Sequence, residues 1–539
     1  MSFTMHFGSR PRGILGARMA MLATLFCAAL APLPAAADNG KDWPMFGQNV
    51  QNTASADKGV KDLDKLQLKW TFTTGGDVSA RAAVVGGVAY FPDWGGNLWA
   101  VKTKNGSLAW SRKFSDYGLP VDTQSRTTPA VVDDVLYIGT QSGAWLLAID
   151  AKSGNLLWKT QLESPANDPF AIVTTSPAVV DGVLYTGVAS LEEGVAADPS
   201  YPCCRARGSV VAVSVKGSNS GQILWRTYMT PAGYSGAGVW GGNFVIDKDR
   251  GSLFVSTGNN YSHPTDAAYL ACVAAGGTAV ACNSPANHSD SILALKLKTG
   301  EIRWARKFMN WGQPGVADGT DDWNVACLVG FLPGQGNCPT SAGPDYDFAS
   351  APNLITYDAG HGQKKTILGA GQKSGIYFAL NPDTGAEIWH TQVGPGSALG
   401  GMEWGSASDG KRIYVSIANL YGIPTAVGGA GSWAALDPAT GAILWQKGDP
   451  NGAIAVGPLT VAEDVVYVSS MAGAATAPTM LALSASSGQT LWSFASGASV
   501  NAGASIADGE VFWGSGYTHL GIPGFTGNNK FFAFSKNGK

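Results

Sequence analysis

One motif recurs along the chain: a short apolar run, a polar stretch, a glycine, three residues, a tryptophan. It reads NLWAVKTKNGSLAW to Trp110, WLLAIDAKSGNLLW to Trp158 and SVVAVSVKGSNSGQILW to Trp225. It returns as SILALKLKTGEIRW to Trp304, IYFALNPDTGAEIW to Trp389, SWAALDPATGAILW to Trp445 and MLALSASSGQTLW to Trp492. An eighth copy is split. The chain ends in KFFAFSKNGK, the strand-and-turn half without its Trp, while LKWTF near the start supplies Trp70 without a preceding turn. A ring closed by pairing the two end segments accounts for both halves. Each unit also carries a pair of alternating apolar runs around an Asp-Gly type turn, as in Pro177 to Gly187, which is hairpin chemistry. Eight units of four antiparallel strands make an all-β, eight-bladed β-propeller, with each Trp docked between neighbouring blades.

Composition agrees. Gly is 71 and Trp 18 of 539 residues, and only 14% are charged, which suits short strands and tight turns. Disorder needs more charge and fewer aromatics. With Lys plus Arg 36 against Asp plus Glu 39, there is no basic surplus for nucleic acid. Arg10, Arg12 and Arg18 precede a short apolar run, Met19 to Leu33, and PAAA before Asp38. This reads as a cleaved export signal over 1–37, followed by a single propeller domain over 38–539 in the periplasm. No run is long enough for a membrane span.

Six cysteines follow that segment: Cys203, Cys204, Cys272, Cys282, Cys327 and Cys338. Six allow fifteen pairings; sequence proximity favours Cys203–Cys204, Cys272–Cys282 and Cys327–Cys338. Adjacent cysteines close only a strained ring, which is rare as plain stapling; the other reading is two thiols bonded to different partners. No C-x-x-C-H is present for covalent haem.

The repeats from Trp158 to Trp389 are the longest, so their insertions gather on one face, where function concentrates. VASLEEGV, STGNNY and NHSDSILAL put Glu192, Asn259 and Asp290 just after strands or at blade edges. Their oxygens form a hard-cation set suited to Ca²⁺, although each alone also serves as a turn residue. Trp240 lies in SGAGVWGG, too glycine-rich for ordinary core. Small residues beside an aromatic face let a flat ligand approach closely. The G-x-G-x-x-G match through Gly236, Gly238 and Gly241 is not a dinucleotide fingerprint, because no βαβ unit surrounds it.

The repeats, the cysteine pair and the stretches EEGVAADPSYPCCRARGSVVAV, VWGGNFVIDKDRGSLFVSTGNNYS, GPDYDFASAPNL, GAGQKSGIYFALNPDTG and GPGSALGGMEWGSA resemble the pyrroloquinoline quinone (PQQ) dependent alcohol dehydrogenases, and within them the polyvinyl alcohol dehydrogenases. The resemblance spans nearly the whole chain after the export signal. It implies PQQ lying flat between a Cys203–Cys204 disulfide and the Trp240 indole. Arg126, Thr174 and Ser190 match the partners of its carboxylates, Trp404 matches a further cofactor neighbour, and Lys373 matches the cation beside the quinone oxygens. Glu192 and Asn259 match Ca²⁺ ligands, with Asp290 beside the ion as general base. Asp347 competes for that role; its plainer reading is a loop-fixing carboxylate.

There are departures from the family pattern. The cysteine pair follows Glu192 instead of preceding the Arg126 position, and Glu403 stands before Trp404 where many relatives have Asn. The haem domain of several relatives has no counterpart here. The implied activity is oxidation of secondary alcohols, polymeric ones included, with electrons passed to a separate cytochrome c. A sugar-oxidising quinoprotein is the alternative within the same chemistry. A cofactor-free scaffold that binds protein is the alternative outside it, since a propeller alone implies no activity.

Overall fold

Gly154 explains the repeat. Its φ is +72°, and a Cβ on it would stand 2.7 Å from Cε3 of Trp110 in the preceding unit. Only glycine accepts both the turn and the indole lying over it. The same contact joins Gly106 to Trp70, Gly300 to Trp225 and Gly488 to Trp445. The indole is then fixed by its N–H: Trp110 Nε1 donates to Ala151 O at 2.8 Å and Trp445 Nε1 to Ala485 O at 2.9 Å. The motif is therefore a clasp between neighbours, in which seven of the eight Trp close over the next unit's glycine turn, while Trp492 donates to Leu66 O across the ring closure. A residue with a Cβ at such a turn costs roughly 1–3 kcal/mol in strain.

The computed structural model describes residues 41–60, 62–196, 198–308, 337, 343–519 and 521–539. The expected export signal and the Cys327–Cys338 pair lie outside them. The described residues form eight sheets, antiparallel apart from one added parallel strand, arranged as the blades of a propeller. The first blade is Ala83–Val85, Val88–Pro92, Asn97–Lys102 and Leu108–Lys113. Between hairpin strands the Asp-Gly turn behaves as expected: Asp181 and Gly182 have φ of 52° and 83°, the left-handed pair that matches strand twist.

The eighth blade joins the two end segments. Leu66–Thr73 pairs antiparallel with Lys530–Lys536, placing Trp70 opposite Ala533 and Thr71 opposite Phe532. Lys530–Lys536 pairs on its other side with Glu510–Ser515, so the C-terminal strand sits inside the sheet. The split repeat is thus one blade.

The segment before the first blade has no repeat signature, yet it runs past the inner strands of six blades. Trp43 exchanges two backbone hydrogen bonds with Val84. Pro44 O accepts from Val131 N, Val50 O from Ile246 N, Gln51 O from Leu354 N, Thr53 O from Ser408 N and Ala54 O from Val461 N. Ser55–Ala56 then adds a parallel strand beside Thr460–Ala462. Inner strands end in unpaired backbone groups, and this segment satisfies them.

The long connections carry the remaining structure. Ala267–Ala274, capped by Asp266, and Ala279–Cys282, capped by Thr278, are two short helices tied by a Cys272–Cys282 disulfide. Cys203 and Cys204 are bonded to each other. Among the described residues no helix is long and apolar enough to cross a membrane.

Candidate active site

Connections from successive blades converge on a cavity of about 490 Å³. Arg126 comes from the lead-in to the second blade and Ser190 from the end of Val183–Ser190. Trp240 precedes Val245–Asp247, and Gly258 and Asn259 follow Ser252–Ser256. Asp347 precedes Asn353–Asp358 and Lys373 follows Lys364–Gly371; Glu403 and Trp404 lead into Ala407–Ser408. Leu191, Leu399, Leu420, Tyr421 and Ile522 form an apolar part of the lining, and Tyr421 is largely exposed.

Trp240 is the centre of the polar arrangement. Its Nε1 donates to Asp347 Oδ2 at 3.0 Å. The Trp404 ring meets it edge-on at 5.7 Å and 88°. Two cations attend the same rings: Lys373 Nζ is 5.2 Å from the Trp240 centroid, and Arg126 is 5.8 Å from Trp240 and 4.6 Å from Trp404. Flat aromatic faces beside fixed cations suit a planar polyanion.

Lys373 is buried and forms ion pairs with Asp347 Oδ1 at 2.8 Å and Asp345 Oδ2 at 3.1 Å. Burial alone would lower its ammonium. Asp345, Asp347, Glu403 and Glu193 outweigh that and hold it well above its ordinary value. Asp345 also accepts from Asn259 Nδ2 at 2.6 Å. Glu403, 2% exposed, is pushed up to about 7 by burial, against the pull of Lys373. Gly258 makes room here: a Cβ on it would lie 3.0 Å from both Asp347 Oδ2 and Trp240 Nε1.

The remaining expected residues divide. Ser190 lines the cavity, but its hydroxyl donates to Asp168 at 2.9 Å, whose carboxyl burial raises to about 6. Thr174 donates to Trp240 O at 3.1 Å and lines a smaller chamber shared with Arg126 and Trp404. Cys203 and Cys204 are not among the residues lining the cavity.

The expected Ca²⁺ ligands divide in what they face. Glu192 is fully buried, and its carboxylate accepts from Tyr201 Oη, Arg205 N and Ala206 N at 2.7 to 3.1 Å. Those bonds shape the loop carrying the disulfide. Its neighbour Glu193 lines the cavity instead. Asp290 is fully buried, bonds through its backbone to Gly258 O and Phe308 N, and does not line the cavity. Of the three, only Asn259 does. Among the described residues no group of three or more His, Cys, Asp or Glu could hold a metal ion.

The glycines around Trp240 also serve otherwise than expected. A Cβ on Gly236 would meet Asn259 O at 2.4 Å, and one on Gly241 would meet Ala349 O at 2.0 Å. They admit neighbouring backbone and hold the indole in place; they are not an open face for a ligand. Glu193, Asp345 and Tyr261 were not singled out by sequence. The one available sign was the paired acids in EEG and DYD.

The PQQ_2 family, described as "Outer membrane protein assembly factor BamB", matches residues 44–198 and 372–534, more than half of the chain. Trp240, Asn259 and Asp347 lie between the two matched stretches. A polyvinylalcohol dehydrogenase from Pseudomonas sp is 27% identical over 513 residues, 87% of this chain and 71% of the relative. That of Sphingopyxis sp. (strain 113P3) is 27% identical over 443 residues, 77% of this chain and 60% of the relative. Among solved structures, the quinohemoprotein alcohol dehydrogenase of Comamonas testosteroni superposes with a TM-score of 0.67 at 17% identity, covering 93% of this chain and 82% of that one. A europium-containing methanol dehydrogenase gives 0.66 at 16%, covering 92% and 98%. These two likenesses establish the eight-bladed fold. The chain belongs to the PQQ_2 family and is similar to the polyvinylalcohol dehydrogenases.

Proposed function

We propose that the protein is a PQQ-dependent dehydrogenase that oxidises secondary alcohols, including polymeric ones, to ketones. The observation that carries this reading is Asp347, a carboxylate fixed between an indole N–H and an ammonium at the wall of a large cavity. When bound, PQQ supplies an o-quinone that accepts two electrons. Trp240 offers the flat face for it, and Arg126 and Lys373 the cations for its carboxylates and oxygens.

The chain's own residues do the rest. The substrate hydroxyl donates its proton to Asp347, which is positioned by Trp240 and Lys373. Lys373 stays charged through its two carboxylate partners, so it can balance negative charge developing nearby. Leu191, Leu399, Leu420 and Ile522 cover the carbon chain on either side of the hydroxyl and displace water from it. Asp290 does not line the cavity, whereas Asp347 does, and we assign the role to Asp347.

The arrangement fits PQQ; Glu192 and Asp290 do not line the cavity, and no step is routed through a metal. Two disulfides fit an oxidising compartment, which supports export to the periplasm. A separate cytochrome c is the proposed acceptor, as this sequence has no C-x-x-C-H. The test is purified protein reconstituted with PQQ, with and without Ca²⁺, and assayed with an artificial dye on secondary alcohols, primary alcohols and sugars. Oxidation of secondary alcohols supports the reading. Preference for sugars, or no PQQ-dependent turnover with any of them, overturns it.

A further inference from the structure

A second, smaller chamber adjoins the cavity, and Arg126 and Trp404 line both. Its volume is about 40 Å³, more than the roughly 10–15 Å³ that one water occupies. Its lining comes from around the ring. Arg81, Thr128, Ser176, Gly242, Trp404, Pro458 and Asn501 each lie two to four residues before the inner strand of a different blade. The chamber therefore marks the propeller axis.

Its polar inventory is unbalanced. Arg81 is 1% exposed. Its two terminal nitrogens donate to Phe46 O at 2.5 Å, Leu459 O at 2.8 Å and Thr460 Oγ1 at 2.9 Å. Its plane lies 5.2 Å from the Trp43 ring and 5.0 Å from that of Phe46. Neither Arg81 nor Arg126 has an ion-pair partner among the described residues, and no carboxylate lines the chamber. Burial draws the Arg81 guanidinium down to about 9, which still leaves it charged at neutral pH. Among the described residues, Arg81 Nε, Trp404 Nε1, Thr128 Oγ1 and Asn501 Oδ1 are buried without a hydrogen-bond partner. Four such atoms from lining residues of one chamber are far from the usual state of a protein interior. Two of them are donor-only groups, the hydroxyl can donate, and the Asn amide can turn its NH₂ inward.

We propose that this axial chamber binds a small monovalent inorganic anion of halide size, held by Arg81, Arg126, the Trp404 indole N–H and the Thr128 hydroxyl. The anion supplies the counter-charge that the fold withholds from Arg81. It also adds a shared contact among connections from several blades.

Bromide and chloride are the probes, used on the full chain without and with PQQ. Crystals grown in sodium bromide should show an anomalous peak in the chamber. Thermal unfolding at constant ionic strength, with chloride replacing gluconate, should show a saturable rise in Tm of about 2–3 °C. Asn501→Asp places a carboxylate in the lining and should abolish both. Thr128→Val removes one donor at little cost in shape and should weaken the half-saturating chloride concentration several-fold. This second variant keeps the test decisive if Asn501→Asp fails to fold. An empty anomalous map with no chloride-specific rise, meaning ordered water only, overturns the proposal. So does an undiminished chloride response in Thr128→Val together with a bromide peak elsewhere. PQQ-dependent turnover enters neither readout, so failure here and failure of the dehydrogenase reading are separate results.

Discussion

Trp240 Nε1 donates to Asp347 Oδ2 across 3.0 Å, and Lys373 Nζ lies 2.8 Å from the other oxygen of the same carboxylate. One carboxylate thus links the flat face of the cavity to its buried cation. A group held on both oxygens has little rotational freedom, which is what a proton acceptor at a reacting hydroxyl needs.

Asp347→Asn should therefore lower turnover by about 10²- to 10⁴-fold while leaving PQQ bound. Asp290→Asn is the control. Asp290 has φ of 50°, a conformation Asn also tolerates, so the backbone should survive the change. Steady-state kinetics with quinone-saturated protein decides the matter. Near-normal turnover in Asp347→Asn, with loss in Asp290→Asn, would reverse the assignment.

Lys373→Met should be strongly destabilising, by roughly 3–5 kcal/mol, because it leaves Asp345 and Asp347 buried without their counter-charge. The sign with pH follows from the raised ammonium. Its contribution is fully present below the unfolded value of 10.5 and is lost only as pH rises through the higher folded value. Wild-type stability should thus hold into the alkaline range, as read by denaturant unfolding at stepped pH. Equal stability of the variant at pH 8 would contradict the ion-pair account.

Glu403 titrates the other way. Its carboxyl is raised from 4.5 to about 7, chiefly by burial. The folded protein then binds a proton that the unfolded chain releases, so stability falls as pH rises between 4.5 and about 7. Glu403→Gln should remove that slope from the apoprotein while preserving the fold. Unfolding curves of the apoprotein across this window, compared between the two proteins, are the measurement. Identical slopes would show that Glu403 is ionised throughout.

Glu192 separates a structural role from metal binding. Its carboxylate faces donors only: Tyr201 Oη and the backbone N–H groups of Arg205 and Ala206. Glu192→Gln turns one acceptor into a donor against N–H groups and should loosen the loop over 201–206. Hydrogen exchange of Arg205 and Ala206 should rise in the absence of any metal. Unchanged protection, with a loss of Ca²⁺ affinity instead, would restore the ligand role.

The fold was legible because each blade repeats one physical solution. A glycine with positive φ accepts the preceding Trp, and both residues are scarce enough to stand out at a fixed spacing. The inner segment from Trp43 to Ala56 was not legible, since it bonds through backbone groups that any sequence supplies. At the cavity, the resemblance named Trp240, Lys373 and Arg126, and all three line it. That Glu193 and Asp347 line the cavity while Glu192 and Asp290 do not was not legible. Adjacent acids differ only in which side of a turn they face, and that is set by packing, as when Ala206 N and Tyr201 claim Glu192. The glycines around Trp240 misled for a related reason: composition shows that close approach is needed but not whether backbone or ligand approaches.

Ring closure gives the last prediction. Lys530–Lys536 lies between Leu66–Thr73 and Glu510–Ser515, hydrogen-bonded to both. Its Phe531, Phe532 and Phe534 are buried, and Phe531 stacks on Phe91 of the first blade at 3.9 Å. Removing residues 530–539 therefore does not trim an edge. It takes out a middle strand, orphans the N-terminal strand that carries Trp70, and exposes two unpaired sheet edges together with the apolar face the phenylalanines covered. The truncated chain should be insoluble or aggregated on expression. A synthetic peptide spanning 528–539, supplied during refolding, should recover part of the soluble material by completing the blade. Size-exclusion chromatography and near-UV circular dichroism read the outcome. A truncated protein that is monomeric and natively packed without the peptide would mean that the ring closes by other contacts and that the pairing of the end segments is dispensable.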